Sequence, residues 1–356
     1  MQESARGRPD QGPRAASLTP ARPLRTVGHG RAAATAELLG FGRSGATGRR
    51  LGAEGEGAMT ETKARAEDRI RALPCWHGPV EIAPLEGGLS NESYTVTDPS
   101  GRYVVRFGHD FPFHHVFRDH ELMVARAAHA AGFAPEVVHA APGVTVSRFI
   151  EGLTFGPDDV RANIPRIARL LRRFHEEMPR AVSGPARLFW VFHVIRDYAR
   201  TLREGGSRMV PRLPEFLALA DEMEAAQVPL PIVFGHHDLL PANFIDDGTR
   251  LWLIDFEYAA FGTAMFDLAG AASNAGMGAE EAEMLIGEYL GHPPDRDFLR
   301  AHAAMQCASL LREAMWSMVS ELHLYAPGVD YVAYTHENLA ALDAALESWR
   351  TRFGRG

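Results

Sequence analysis

The chain has 356 residues, 46% of them hydrophobic, and a formal net charge of −8. That length is enough for a two-lobed molecule, and the negative charge argues against nucleic acid or an anionic membrane as a main partner. No apolar run approaches the roughly 18 residues of a membrane-spanning helix, so no membrane insertion is expected, and monomer or homodimer stays open. Cys75 and Cys307 match no metal spacing and read as small buried apolar residues in a reducing, cytoplasmic setting.

Residues 1–58 differ in kind. Nine arginines and no lysine stand against five acids, and Phe41 is the one aromatic residue. Glycines and prolines interrupt any amphipathic period, so the segment cannot bury enough apolar surface to offset its ordering entropy. It also lacks the continuous apolar stretch of a secretory signal. The readings left are a disordered leader, an Arg-rich transit peptide, or a native start at Met59.

Beyond Met59, Ala64–Ala72 reads as a short helix and Val80–Leu85 as a strand. Gly87-Gly88 opens a loop, Ser93–Thr97 is a second strand, and Asp98-Pro99-Ser100-Gly101 has the composition of a type I turn. Tyr103–Phe107 completes a three-stranded meander. Arg118–Ala131 is predicted helical, with Leu122, Ala125 and Ala128 on one side and Gly132 as its stop signal. Strands follow near Val137–Val138 and over Val144–Ile150. After Gly152 the pattern turns helical, and Val160–Glu177 sets Ile164, Ile167, Leu170, Leu171 and Phe174 at helical spacing. Further helices are expected at Phe192–Arg203, Pro214–Ala226, Ala279–Leu290, Asp295–Leu322 and Tyr331–Arg350. The fold class is α+β: a small antiparallel sheet with one helix over 59–151, then a larger, mainly helical part over 152–356.

The stretch from Phe234 to Glu257, FGHHDLLPANFIDDGTRLWLIDFE, carries the chemistry. A polar loop with His236, Asp238 and Asn243 lies between two apolar runs, and the second run, Leu251–Ile254, ends in Asp255. Phosphoryl transfer from a nucleotide needs one carboxylate to orient a hydroxyl nucleophile, and an amide with a second carboxylate to hold Mg²⁺ on the phosphates of ATP. Asp238 suits the first role, Asn243 and Asp255 the second. Glu257, on the same face if the strand continues, is a further candidate for the metal shell or a support for Asn243. His236, beside Asp238, is expected to brace the loop rather than act as a base. A solvated loop with accidental acids is the competing reading, and the flanking strands speak against it.

Glu86-Gly87-Gly88-Leu89-Ser90-Asn91 lies between two predicted strands. Its glycines would let the backbone approach a phosphate, with Ser90 or Asn91 donating to the oxygens; an ordinary hairpin is the plainer alternative. Strand alternation puts Arg106 and Val104 on one face, with Tyr103, Val105 and Phe107 on the other. A cation on a mostly apolar strand is costly unless paired. Nucleotide phosphates and Glu121 are its expected partners, against an edge-strand arginine in solvent. His109, His114, His115 and His120 show no metal spacing and read as a solvated loop near the substrate entrance.

The pattern HxDxxxxN, a hydrophobic strand and IDFE resembles the choline/ethanolamine kinase family, within the aminoglycoside phosphotransferase-like kinases. LLPANF, LIDFEYAAFG and MFDLA fall in family order, as do GGLSNESY, YVVRFG and SRFIEG upstream and LLREAMW and DYVAY downstream. The resemblance covers roughly everything after Met59 and implies a two-lobed protein-kinase-like fold with ATP and Mg²⁺ as cofactors. It also implies adenine contacts from the carbonyl of Arg148 and the amide of Ile150, a structural carboxylate in Asp267, and an arginine at Arg106 where most kinases use lysine. A quaternary ammonium is recognised by aromatic faces and a nearby carboxylate. The family's choline pocket falls here on Tyr258, Trp316, Tyr331 and Tyr334. Val319 stands where a second tryptophan is common, and Asn274 where a glutamate is, so the cage is thinner and less anionic. The expected activity is phosphorylation of a small amino alcohol, choline first, since ethanolamine would want more hydrogen-bond acceptors than these positions offer. Ethanolamine, thiamine or an aminoglycoside as acceptor, and a non-catalytic nucleotide-binding pseudokinase, are the competing expectations.

Overall fold

The structure is a computed structural model that describes residues 65–85, 92–324 and 329–354. The leader over 1–58 and the loop carrying Gly87, Gly88, Ser90 and Asn91 lie outside the described residues. β1 (Glu81–Pro84), β2 (Glu92–Asp98) and β3 (Gly101–Phe107) form the expected meander. β4 (Val137–Ala141) and β5 (Val144–Arg148) extend it in the order β1-β2-β3-β5-β4, every pairing antiparallel. Asp98 closes the β2–β3 turn by accepting from the N–H of Ser100 at 2.7 Å and of Gly101 at 3.1 Å. Tyr94, Val96, Tyr103, Val105 and Phe107 pack with Ile70, from a helix at 65–71, into a separate apolar cluster. The alternation leaves Arg106 on the opposite face, across from Thr145 of β5.

α1 (Arg118–Ala130) buries His120, Val124 and Ala128, rather than Leu122 and Ala125. The reason is the partner it packs on. Val124 and Ala128 join Phe133 and Ala134 in a cluster with Phe155, Ile167, Leu171, Phe174 and Phe256. Phe133 also accepts a backbone hydrogen bond from Leu253 at 2.8 Å. α1 therefore shares its apolar face with residues of the C-terminal half.

α2 (Pro157–Ala162) and α3 (Ile164–Ala181) replace the single helix expected over Val160–Glu177. Pro165, in the first turn of α3, has no N–H to continue a ladder across Asn163. α3 still buries all five residues read as its apolar face. α4 (Val191–Glu204) and α5 (Leu213–Ala225) keep close to their expected spans. α6 (Ala264–Asn274) has no counterpart in the sequence reading: every residue from Ala264 to Ala272 is buried, so no polar face marks its period. α7 (Ala279–Leu290), α8 (Arg296–His323) and α9 (Tyr331–Phe353) complete the helical half. Asp295 caps α8 by accepting from Phe298 at 2.8 Å, and Asp330 caps α9 through Val332 and Ala333.

Among the described residues, five short strands sit among these helices. β6 (Leu153–Thr154), β8 (Phe244–Asp246) and β9 (Leu251–Leu253) form one small sheet, and β7 (Ile232–Gly235) pairs with β10 (Ala260–Thr263) in another. Cys307 is buried as expected, whereas Cys75 is only half-buried. Among the described residues no helix is long and apolar enough to cross a membrane.

Candidate active site

β7 and β10 run antiparallel, with Gly235 opposite Ala260 and Gly262 opposite Val233. The His237 imidazole packs against both glycines: a Cβ on Gly235 or Gly262 would stand 2.4 or 2.8 Å from its Nε2. Only the missing side chain lets the ring lie there. His237 takes a left-handed φ of 59° and turns the chain into Asp238. Asp267, in the first turn of α6, fastens this turn. Its carboxylate accepts from the N–H groups of His236 and His237, each at 2.7 Å, and from Nε2 of His175 at 2.8 Å. Burial pushes the Asp267 carboxyl up, but the His175 hydrogen bond and the surrounding imidazoles outweigh it and hold the group well below the usual carboxylate range. Burial also pushes the His237 imidazole down to about 4, against the pull of Asp267.

The chain then folds back on Asp238. Its carbonyl accepts from the N–H of Leu240 at 2.9 Å and from Nδ2 of Asn243 at 2.8 Å, which leaves Oδ1 as the ligand atom of that amide. β8 follows at once and pairs with β9, Phe244 opposite Leu253. Ile254 donates to the carbonyl of Asn243 at 3.2 Å and accepts from Nε2 of His236 at 2.9 Å. His236 is wholly buried in this role. It fastens the loop to the end of β9, as a brace. Asp255 has a left-handed φ of 67°, a region that aspartate tolerates better than most residues.

Charge gathers on the sheet side of this turn. Nη1 of Arg106 reaches Glu121 at 2.7 Å and Asp255 at 3.1 Å, and its Nη2 reaches Glu257 at 3.3 Å. Arg118, which the sequence reading missed, binds Glu121 at 2.5 Å and Glu257 at 3.2 Å. Its spacing of three from Glu121 on α1 was the available signal. Desolvation works against the Arg106 charge, but Asp255, Glu121 and Glu257 outweigh it and hold the guanidinium protonated. Glu257 does not sit on a continuing strand, since β9 ends at Leu253. It supports the two arginines, while the amide of Asn243 is held by the Asp238 carbonyl instead.

A cavity of about 270 Å³ opens beside Asp238, lined among others by Ser309, Arg312, Glu313, Tyr334, Glu337 and Asn338. Of the four aromatic residues expected around a quaternary ammonium, Tyr334 alone is in that lining. Tyr258, Trp316 and Tyr331 belong to the helical core, each less than a tenth exposed. The cavity also offers more hydrogen-bond acceptors than the sequence suggested. The histidine-rich segment departs from a solvated loop too. His114 is buried between Tyr198 and Ser320 and stacks on Trp316 at 5.0 Å, and buried His120 pairs with the carbonyl of Ala259 at 2.7 Å. Arg148 ends β5 and Ile150 follows it, in the segment that joins the sheet to β6.

A small antiparallel sheet carrying a paired arginine, followed by a helical half with a carboxylate–amide loop, is the frame of a kinase-fold phosphotransferase. The model of the phosphotransferase enzyme family matches residues 81–302, and the chain belongs to that family, on its choline/ethanolamine kinase-like side. Protein LicA of Haemophilus influenzae is 24% identical over 274 residues, covering 73% of this chain and 78% of that one. A choline/ethanolamine kinase family protein from Mesorhizobium loti aligns with a TM-score of 0.67 at 26% identity, over 80% of this chain and 95% of that chain. The choline kinase LicA of Streptococcus pneumoniae shares the fold, with a TM-score of 0.64 at 20% identity over 80% and 99% of the two chains.

Proposed function

We propose that this phosphotransferase moves the γ-phosphoryl group of ATP, with Mg²⁺, onto the hydroxyl of a small amino alcohol. The observation that carries the reading is the stitching of the Asp238–Asn243 loop to Ile254, the residue before Asp255, by the bonds at the Asp238 carbonyl and at Ile254. A carboxamide oxygen and a carboxylate are hard oxygen donors of the kind Mg²⁺ takes, so Oδ1 of Asn243 and the Asp255 carboxylate fit that ion. Bound there, it would neutralise charge on the phosphate oxygens. Asp238 orients the acceptor hydroxyl and receives its proton, at the mouth of the cavity that it lines. Arg106 has three carboxylate partners, so it can turn from Asp255 toward a phosphate and remain paired. The sheet half then serves the nucleotide, through the loop at Gly87, Gly88, Ser90 and Asn91 and the backbone of Arg148 and Ile150, as the family resemblance implies. The half after residue 151 serves catalysis and the acceptor.

The test is ADP release with ATP and Mg²⁺ over a panel of amino alcohols, thiamine and an aminoglycoside, beside Asp238→Ala. Amino alcohols should support turnover, and Asp238→Ala should lose it while ATP still raises the melting temperature. Near-native turnover by Asp238→Ala would overturn the mechanism.

A further inference from the structure

Arg312 precedes Trp316 by one turn of α8. Its Cζ lies 4.6 Å from the centre of the Tyr258 ring and 5.9 Å from that of Phe189, both within cation–π range. Nη1 of Arg312 is 2.7 Å from Oε2 of Glu313, whose Oε1 accepts from the Tyr334 hydroxyl at 2.9 Å. The Arg312 side chain is only 4% exposed, yet it and Glu313 line the cavity beside Asp238. Trp316 is engaged as well: His114 stacks on it, and its Nε1 donates to the Tyr258 hydroxyl at 3.1 Å.

We propose that Arg312 and Glu313 set the acceptor specificity of this enzyme. The guanidinium occupies the Tyr258 face on which a methylated ammonium would rest, and the acceptor's nitrogen is read by hydrogen bonds instead. The inference rests on the phosphotransferase reading of the same site. A quaternary ammonium has no N–H, so it gains only from aromatic faces and charge. Here the guanidinium already occupies that face, so a trimethylammonium loses the contact that would hold it, and it has no N–H to gain elsewhere. A primary ammonium brings three donors. Glu313, fixed by Arg312 and Tyr334, presents carboxylate oxygens with two lone pairs each, and Glu337, Asn338 and Ser309 line the same cavity. Asp238, Glu313 and Glu337 outnumber the one arginine in that lining, so an ammonium is favoured over an anion. The acceptor class is a small alcohol bearing a primary or secondary ammonium.

The experiment measures kcat and KM with ATP and Mg²⁺ for ethanolamine and its mono-, di- and trimethylated forms, the last being choline. Wild-type kcat/KM should fall with each methyl, choline ending roughly tenfold or more below ethanolamine, mainly through KM. Arg312→Met keeps the bulk and removes the cation, and should move the choline-to-ethanolamine ratio up by about tenfold. Glu313→Gln guards against a misfolded Arg312→Met: it should raise KM for ethanolamine more than for choline. Wild-type preference for choline, a folded Arg312→Met with an unchanged ratio, or a Glu313→Gln that raises both KM values equally would each overturn the proposal. Failure of all four alcohols to release ADP from an ATP-binding enzyme would instead overturn the phosphotransferase reading beneath it.

Discussion

Arg106 and Arg312 stand on the two sides of the site and are held in opposite ways. Arg106 is about a fifth exposed and shares Asp255, Glu121 and Glu257, carboxylates from α1 and from the turn after β9, with two of them also bound by Arg118. Arg312 is nearly enclosed, against an aromatic ring and a carboxylate from the adjacent residue. A many-membered ion network can lose one member to an incoming phosphate and leave no charge stranded. A cation set into aromatic packing cannot be exchanged that way and instead gives the cavity its shape. Side chains of one chemical type thus serve exchange on one side and exclusion on the other, and burial decides which.

The comparison can be broken most severely at the residue between the two. Asp238→Ala should cut turnover by about 10²–10⁴-fold, measured by ADP release, with little change in melting temperature. On the network side, Arg106→Ala takes from Glu257, Glu121 and Asp255 a guanidinium that all three share, while Arg118 still binds Glu121 and Glu257. It should destabilise the fold by about 3 kcal/mol in denaturant titration and weaken ATP binding. Arg106→Lys should recover part of the stability but little of the affinity, because an ammonium lacks the fork that reaches several oxygens.

A pH series sharpens the contrast between exposed and buried ionisable groups. Burial holds the imidazoles of His237 and His302 down to about 4, from an ordinary 6.5. Between those pH values the unfolded chain binds protons that the folded chain refuses, so stability rises with pH across this window and is lost as pH falls from 6.5 toward 4. The loss should be on the order of 1–3 kcal/mol per histidine, read from melting curves, and His302→Gln should flatten part of the profile. The smallest effect is expected at Gly262→Ala. The added Cβ would lie 2.8 Å from Nε2 of His237 and 2.9 Å from the carbonyl of Phe189. A cost of about 1–2 kcal/mol in stability, with a modest fall in kcat, follows if the His237 ring positions Asp238. An unaltered melting temperature would remove that ring from the account.

Much of the frame was legible because it repeats. The alternation in YVVRF put Arg106 on the face opposite Tyr103, Val105 and Phe107, and the structure pairs it with Glu121 as expected. The spans of α7 and α8 lie within a residue or so of those expected from the helical pattern. α6 was illegible because it is buried on every side, and the break at Asn163 hid behind an unbroken apolar period. In the site, Asp238, Asn243 and Asp255 were readable from spacing within one short stretch. The pairing of Arg118 and Arg106 with Glu257 was not, since it joins segments far apart in the chain.

The sequence alone determined the opening meander, the order of most helices, the side of the sheet that carries the cation, and the loop that carries Asp238. All of these are local, set by a period of two or 3.6 residues or by a few consecutive side chains. Tertiary structure decided that Tyr334 lines the cavity while Tyr258, Trp316 and Tyr331 pack in the core, and that Arg312 stands against Tyr258. α8 is buried along much of its length on more than one side, so no pattern of polar and apolar residues marks which of them meets the acceptor; only the packing of α8 against α9 and its other neighbours does.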